Sequence, residues 1–260
     1  MTAKRLLPLF LIFLSLSSCG QQSNLADVQG QATLLSLPAV TDTTPKKVRN
    51  LARFEREIIK FEENDKAAAP KAGGILFVGS SSIRLWKTVA DDMAPLPVIN
   101  RGFGGATIAE VNHYFRRVVY RYNPKMLVFY AGENDLFDPK MPVDSVVKDF
   151  NAFRDSMNRY LPDCRMYFVS VKPSPARWLF QQKFLEANAK FRAICEQDPH
   201  WTYVDVIAPM LGTDGRPRKD IYRADSLHMT TAGYAEWTKI LKPTLRNAWK
   251  TSAQLVPKAR

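Results

Sequence analysis

Five short apolar runs, at residues 75–78, 96–100, 125–130, 166–171 and 202–207, alternate with helix-length amphipathic stretches. No other feature of the sequence restricts the fold as much. Near-continuous apolar runs belong to strands covered on both faces, whereas half-exposed strands alternate apolar with polar residues. Strands of that kind joined by helices assemble into a parallel sheet with a helical layer on each side. The expected fold class is therefore α/β: a three-layer α/β/α sandwich around five parallel strands in the flavodoxin-like order 2-1-3-4-5. In such a sheet ligands sit beyond the carboxyl ends of the strands, so chemically useful residues should follow strands rather than precede them.

The helical stretches are equally legible. Ile108, Val111, Phe115 and Val118 share one face behind Thr107, an expected N-cap. Val143, Val146, Val147, Phe150, Phe153 and Met157 form a second face, and Phe184, Ala187, Phe191 and Ile194 a third. A last helix runs from Thr230, with Tyr234, Trp237, Ile240, Leu241 and Leu245 on one side. Ahead of the first strand, Leu51, Phe54, Ile58 and Phe61 recur at helical spacing over residues 48–66, until Pro70 and Gly73-Gly74 stop the pattern. Residues 48–71 are thus expected as an amphipathic helix packed on a domain of residues 72–250, with 251–260 a tail.

The N-terminus has a different character. Lys4 and Arg5 precede an apolar run at 6–16, too short for a hydrocarbon core that needs about twenty helical residues. Residues 1–18 therefore read as an export signal. Leu16-Ser17-Ser18-Cys19 resembles the lipobox of bacterial lipoproteins, which implies cleavage before Cys19, lipidation of Cys19 and a chain anchored to a membrane of the bacterial cell envelope. From there to residue 47 the sequence is rich in Gln, Ser, Thr and Asp without apolar periodicity, and reads as a tether. A flexible tether of that length spans on the order of 30 Å.

Charge has to be weighed with that address. Lys and Arg number 37 against 25 Asp and Glu, a net +12, and loss of Lys4 and Arg5 with the signal leaves +10. Such an excess suits nucleic acid, anionic lipid or an acidic glycan. Export argues against nucleic acid, leaving anionic envelope components or simply a solvated basic surface. With 46% hydrophobic and 24% charged residues the chain can bury a core, which excludes a disordered chain, and three cysteines are too few for a disulfide scaffold.

Four motifs fall at the expected edge. The first strand runs into Gly79-Ser80-Ser81-Ser82-Ile83, where a serine is placed to act as a nucleophile or, equally, to cap a helix. Gly79 permits a sharp strand-to-helix turn, but Ile83 stands where a Gly-x-Ser-x-Gly elbow has its second glycine. After the second strand, Gly102-Phe103-Gly104-Gly105-Ala106-Thr107 offers a concave run of backbone N–H groups suited to an anion. Thr107 replaces the third glycine of a dinucleotide fingerprint, so no such cofactor is read there. After the third strand, Gly132-Glu133-Asn134-Asp135 presents a side-chain amide to a cleft, or forms an Asx turn. Before the last helix, Asp225-Ser226-Leu227-His228 sets a carboxylate and an imidazole on one turn, the pairing that orients a histidine as general base. His113 and His200 have no metal-ligand spacing with Cys, Asp or Glu, so no metal site is read.

Taken in this order, Gly79-Ser80-Ser81, Gly105, Gly132-Glu133-Asn134-Asp135 and Asp225-Ser226-Leu227-His228 resemble the SGNH hydrolases, also called the GDSL esterase/lipase family, over residues 72–248. The resemblance implies Ser81 as nucleophile, His228 as base and Asp225 as the residue orienting it. It implies an oxyanion hole made by the backbone N–H groups of Ser81 and Gly105 and the side-chain amide of Asn134. Ser80 stands where the family's naming motif has Asp, and Ser82 where it has Leu or Ile. The implied activity is hydrolysis of short acyl esters, acetyl above all, on a small molecule or an envelope glycan, through an acyl-enzyme and with no cofactor. Lysophospholipid hydrolysis, acyl transfer and noncatalytic glycan binding are the alternatives.

Four further residues at this edge, Arg84, Lys172, Arg177 and Trp178, are expected substrate contacts, against the plainer reading of surface charge and a stiff connector through Pro173 and Pro175. Arg101 is open to the same choice between substrate and a local salt bridge. Export permits a Cys164–Cys195 disulfide, but the reading favours two buried free thiols.

Overall fold

A computed structural model describes residues 50–254. The signal segment 1–18, Cys19 and the tether to residue 47 lie outside the described residues, as does the end of the tail. Strands β1 (Ile75–Gly79), β2 (Val98–Gly102), β3 (Met126–Tyr130), β4 (Arg165–Val169) and β5 (Trp201–Val204) form one parallel sheet ordered β2-β1-β3-β4-β5. This is the expected strand order. The register aligns the carboxyl ends of the central strands, Gly79 facing Gly102 on one side and Tyr130 on the other.

Alternation along each strand divides the core in two. Leu76, Val78, Leu127, Phe129, Met166 and Phe168 point into one layer, and Ile75, Phe77, Met126, Val128, Tyr167 and Val169 into the other. Nine helices are described: α1 (Glu55–Ala67), α2 (Ser81–Arg84), α3 (Val89–Met93), α4 (Ile108–His113), α5 (Phe115–Val118), α6 (Glu133–Leu136), α7 (Val143–Tyr160), α8 (Gln181–Cys195) and α9 (Thr231–Gln254). The first layer is closed by Ile58 of α1, Val111 of α4 and the phenylalanine faces of α7 and α8. Ile83, Val89 and Met93 from α2 and α3, with Trp237, Leu241 and Leu245 of α9, close the second. None of these helices is long and apolar enough to cross a membrane.

β2 lies two residues later than expected and β5 ends at Val204, three residues early; three other boundaries differ for a local reason. The first helix starts at Glu55, with residues 51–54 as turns, because Arg53 turns aside to Glu110 and to the Gly105 carbonyl while Phe54 packs edge-on against Phe103. The expected helix at 108–118 breaks at Tyr114, whose buried ring meets Phe103 edge-on at 5.9 Å. Its start is as expected, since Thr107 Oγ accepts from the Glu110 N–H and the Glu110 carboxylate accepts from the Thr107 N–H. The fourth strand ends at Val169, two residues early, because the Asn188 side chain takes over both backbone groups of Val171, at 2.8 and 2.9 Å.

Cys164 and Cys195 are free and buried, and burial pushes both thiols up to about 12. A thiol is reactive as its thiolate, so neither should react in the folded chain. In a Cys19→Ser chain, a thiol reagent should find no reactive group before denaturation and two after it. A chain that stays unreactive in denaturant without reductant would instead contain the disulfide.

Candidate active site

The end of β1 is built by a close approach. Gly79 has φ +134, and a Cβ there would collide with the Tyr130 carbonyl oxygen, so the position excludes every side chain. Past it, the Ser80 N–H donates to that carbonyl at 2.9 Å, and the Ser80 carbonyl accepts from the N–H groups of Ile83 and Arg84 at 3.0 and 3.1 Å. α2 therefore begins at Ser81, whose N–H belongs to the first turn and has no partner within the helix. Ser80 and Ser82 are buried, and Ser80 Oγ has no hydrogen-bond partner among the described residues. Ser81 alone of the three serines is partly exposed.

The chain brings His228 to this serine across 147 positions of sequence. His228 Nε2 lies 3.0 Å from Ser81 Oγ, and His228 Nδ1 lies 2.6 Å from Asp225 Oδ2. A carboxylate only accepts, so Nδ1 carries the proton, and Nε2 is left to accept from the serine hydroxyl. Asp225 Oδ1 is held by the N–H groups of Leu227 and His228 at 3.0 and 2.9 Å. Burial pushes the Asp225 carboxyl up, but the bonds from the His228 ring and from the two backbone N–H groups outweigh it and lower it from 3.8 to about 2. The turn is closed by the Arg223 N–H on the His228 carbonyl at 2.8 Å and by Ser226 in a left-handed conformation, φ +56.

In the loop after β2, Gly105 takes φ +69 and faces open space on the side where a Cβ would sit, while its carbonyl is tied back by Arg53 at 2.9 Å. Asn134, in α6, donates from Nδ2 to the Ala106 carbonyl at 3.0 Å, and its Oδ1 accepts from Arg177 at 2.9 Å. A primary amide has two N–H groups. One donates to Ala106, and among the described residues none accepts from the other.

The sequence model of the GDSL-like lipase/acylhydrolase family matches residues 77–236. The chain belongs to this family. It is accordingly an SGNH-type ester hydrolase. Among solved structures, a GDSL-like lipase from Bacteroides thetaiotaomicron is 21% identical, with 76% of this chain and 99% of that one covered at a TM-score of 0.65. A carbohydrate esterase family 3 protein from Talaromyces cellulolyticus is 13% identical, covering 69% and 99% at 0.56. An acetylxylan esterase from Geobacillus stearothermophilus is also 13% identical, covering 65% and 93% at 0.54. At these identities the structural likeness is one of fold. Among curated proteins none matches.

Other residues at this edge of the hydrolase fold divide unevenly. Arg84 is exposed, and its guanidinium runs along Gly104 at the rim. Lys172 is not a substrate contact: it is fully buried, 3.1 Å from Glu133 Oε1, and donates to the Leu227 carbonyl at 2.9 Å. Arg177 is committed as well, to the Glu133 carbonyl and to Asn134, each at 2.9 Å. Trp178 lies under the Arg216 guanidinium, 5.4 Å away, in a cavity of about 510 Å³ lined also by Pro175, Gly212, Asp214 and Lys219. Arg101 takes the local reading, paired with Asp65 and bonded to the Tyr122 hydroxyl at 2.6 Å. Glu133 and Arg53 escaped sequence reasoning. Among the described residues no His, Cys, Asp and Glu cluster could hold a metal ion.

The depressed Asp225 carboxyl has a consequence for stability. A group lowered by its folded partners lends stability above its unfolded pKa, and that contribution is lost as pH falls through the folded one. The stability difference between wild type and Asp225→Asn should therefore be full above about pH 4 and fade toward about pH 2. Melting temperatures of both chains across that range check it; a constant difference would mean that the imidazole does not hold this carboxylate.

Proposed function

We propose that the chain hydrolyses short acyl esters, acetyl esters of carbohydrate above all, through a covalent acyl-enzyme on Ser81. One observation carries the reading: Ser81 Oγ, His228 and Asp225 form an unbroken hydrogen-bonded relay, at 3.0 and 2.6 Å, at the carboxyl edge of the sheet. His228 Nε2 accepts the Ser81 proton as Oγ attacks the acyl carbon. The carbonyl oxygen becomes an oxyanion, met by the N–H groups of Ser81 and Gly105 and the unused N–H of Asn134, each such donor worth roughly 3 kcal/mol of barrier. His228 then protonates the leaving alcohol; a water, deprotonated by the same Nε2, attacks the acyl carbon, and Nε2 returns that proton to Ser81 Oγ as the acid leaves. The chain's own groups account for every proton in this sequence of steps.

Support for a carbohydrate leaving group comes from two directions. The neighbours described as an acetylxylan esterase and a carbohydrate esterase share the fold. The segment that carries Trp178 and lines its cavity is tied to the Asp225–His228 turn by the Ala176 N–H on the Ser226 carbonyl at 3.0 Å. A second reading, hydrolysis or transfer of longer lipid acyl groups, is favoured by the exposed Leu179, at 96%, and Phe137, whose ring meets Phe180 at 5.2 Å beside the Asn134 segment.

Ser81→Ala should lower turnover of a chromogenic acetyl ester by about 10⁶-fold and abolish labelling by a serine-reactive phosphonate. Retained labelling that vanishes only in Ser80→Ala or Ser82→Ala would move the nucleophile; a wild type that neither labels nor turns over would leave noncatalytic glycan binding. A series of esters of increasing acyl length should show kcat/KM falling from acetyl upward, and a maximum at long chains would select the lipid reading.

We place the enzyme at the bacterial envelope through a lipid on Cys19, a reading supported by the Leu16-Ser17-Ser18-Cys19 pattern behind an apolar run. In cells, Cys19→Ser should shift the protein from the membrane fraction to the soluble one. An unchanged distribution would reject the anchor.

A further inference from the structure

Arg177 was expected at the substrate, yet its guanidinium is turned to the segment after β3, where both terminal nitrogens donate to the protein. Nη1 donates to the Glu133 carbonyl and Nη2 to Asn134 Oδ1, both at 2.9 Å. Nη1 also lies 3.8 Å from Glu133 Oε1, the guanidinium carbon sits 4.5 Å from the centre of the Phe137 ring, and the side chain is only 10% exposed. Behind it Glu133 is fixed in turn by Lys172 at 3.1 Å and by the Tyr130 hydroxyl at 2.6 Å.

A carboxamide fits its space almost equally well after a half-turn that exchanges oxygen and nitrogen. For Asn134 that half-turn would point NH₂ at a guanidinium and the carbonyl oxygen at the Ala106 oxygen, donor against donor and acceptor against acceptor. It would also turn a lone pair toward the place where the oxyanion forms. We propose that Arg177 is a positioning residue for the reaction: its Nη2 holds Asn134 with the oxygen outward, so that the second amide N–H stays aimed at the acyl oxygen. This inference rests on Asn134 being an oxyanion donor, as argued above.

The test is a double-mutant cycle in the full chain, reading kcat and KM for a chromogenic acetyl ester with the unfolding midpoint as control. Asn134→Ala should lower kcat by about 100-fold. Arg177→Met should lower kcat by about 10-fold or more with KM changed less than about 2-fold, and should cost less than about 2-fold when Asn134 is already Ala. Arg177→Lys keeps a cation beside Glu133 but cannot reach both oxygens as a planar fork does, so it should show a similar kcat loss at a near-wild-type midpoint, even if Arg177→Met folds poorly.

A rise in KM would make Arg177 a substrate contact, and an equal loss in both backgrounds would make it merely structural; either overturns the proposal. A large loss in Asn134→Ala with none in either Arg177 variant rejects this inference alone. An unaffected Asn134→Ala rejects the oxyanion role itself, and the positioning role with it.

Discussion

Glu133 and Lys172 are both withdrawn from solvent, and the chain tolerates this only because each meets the other at 3.1 Å. Burial alone would push the carboxyl up and the amine down. Lys172 and Arg177 instead hold the Glu133 carboxyl below its usual range, while the Glu133 carboxylate opposes the fall of the Lys172 amine. Removing ions from water costs several kcal/mol each, offset only where their remaining hydrogen-bonding groups are satisfied. The partners beyond the pair itself are informative: the Tyr130 hydroxyl at the end of β3, and the Leu227 carbonyl next to His228. One buried pair thus fastens the central strand, the loop after β4 and the turn carrying His228.

That fastening matters because the direct link between acid and base is exposed. The Asp225 side chain retains 48% of its exposure, so solvent screens its attraction for the imidazole. Orientation of His228 therefore depends heavily on the backbone: Asp225 Oδ1 gathers two N–H groups of its own turn, and the Leu227 carbonyl is pinned from beneath by Lys172. Preorganised donors and acceptors contribute most where they do not have to be reordered during the reaction. The buried side supplies that rigidity, while Asp225 and part of His228 stay open to solvent.

The sheet was legible because β1 and β3 are buried from end to end, so their residues are apolar without interruption. Asp225 and His228 were legible because their contact spans three positions. What failed was the role of Lys172 and Arg177, since a cation in a loop at this edge looks the same whether it faces substrate or a carboxylate contributed 39 or 44 residues away. A signal was nevertheless present. β3 ends at Tyr130 and the adjacent β4 at Val169, so Glu133 and Lys172 each stand three residues past neighbouring strand ends. Opposite charges at the same height above a buried sheet are placed to pair. Strand adjacency must be known before that reading can be made, which is why charge and spacing alone did not reveal it.

The three serines make the converse point, that backbone geometry can matter more than the side chain it carries. Position 80 departs from the family's Asp, and its shorter hydroxyl is buried with no partner among the described residues, where a buried polar group left unpaired costs about 1–3 kcal/mol. Its peptide groups, however, are fully used: the N–H on the Tyr130 carbonyl, the carbonyl on the first turn of α2. Those bonds, together with a Gly79 that admits no Cβ, set where α2 starts and hence where Ser81 emerges. Nothing in that construction requires an acid at position 80, so Ser81 Oγ still emerges where the imidazole meets it.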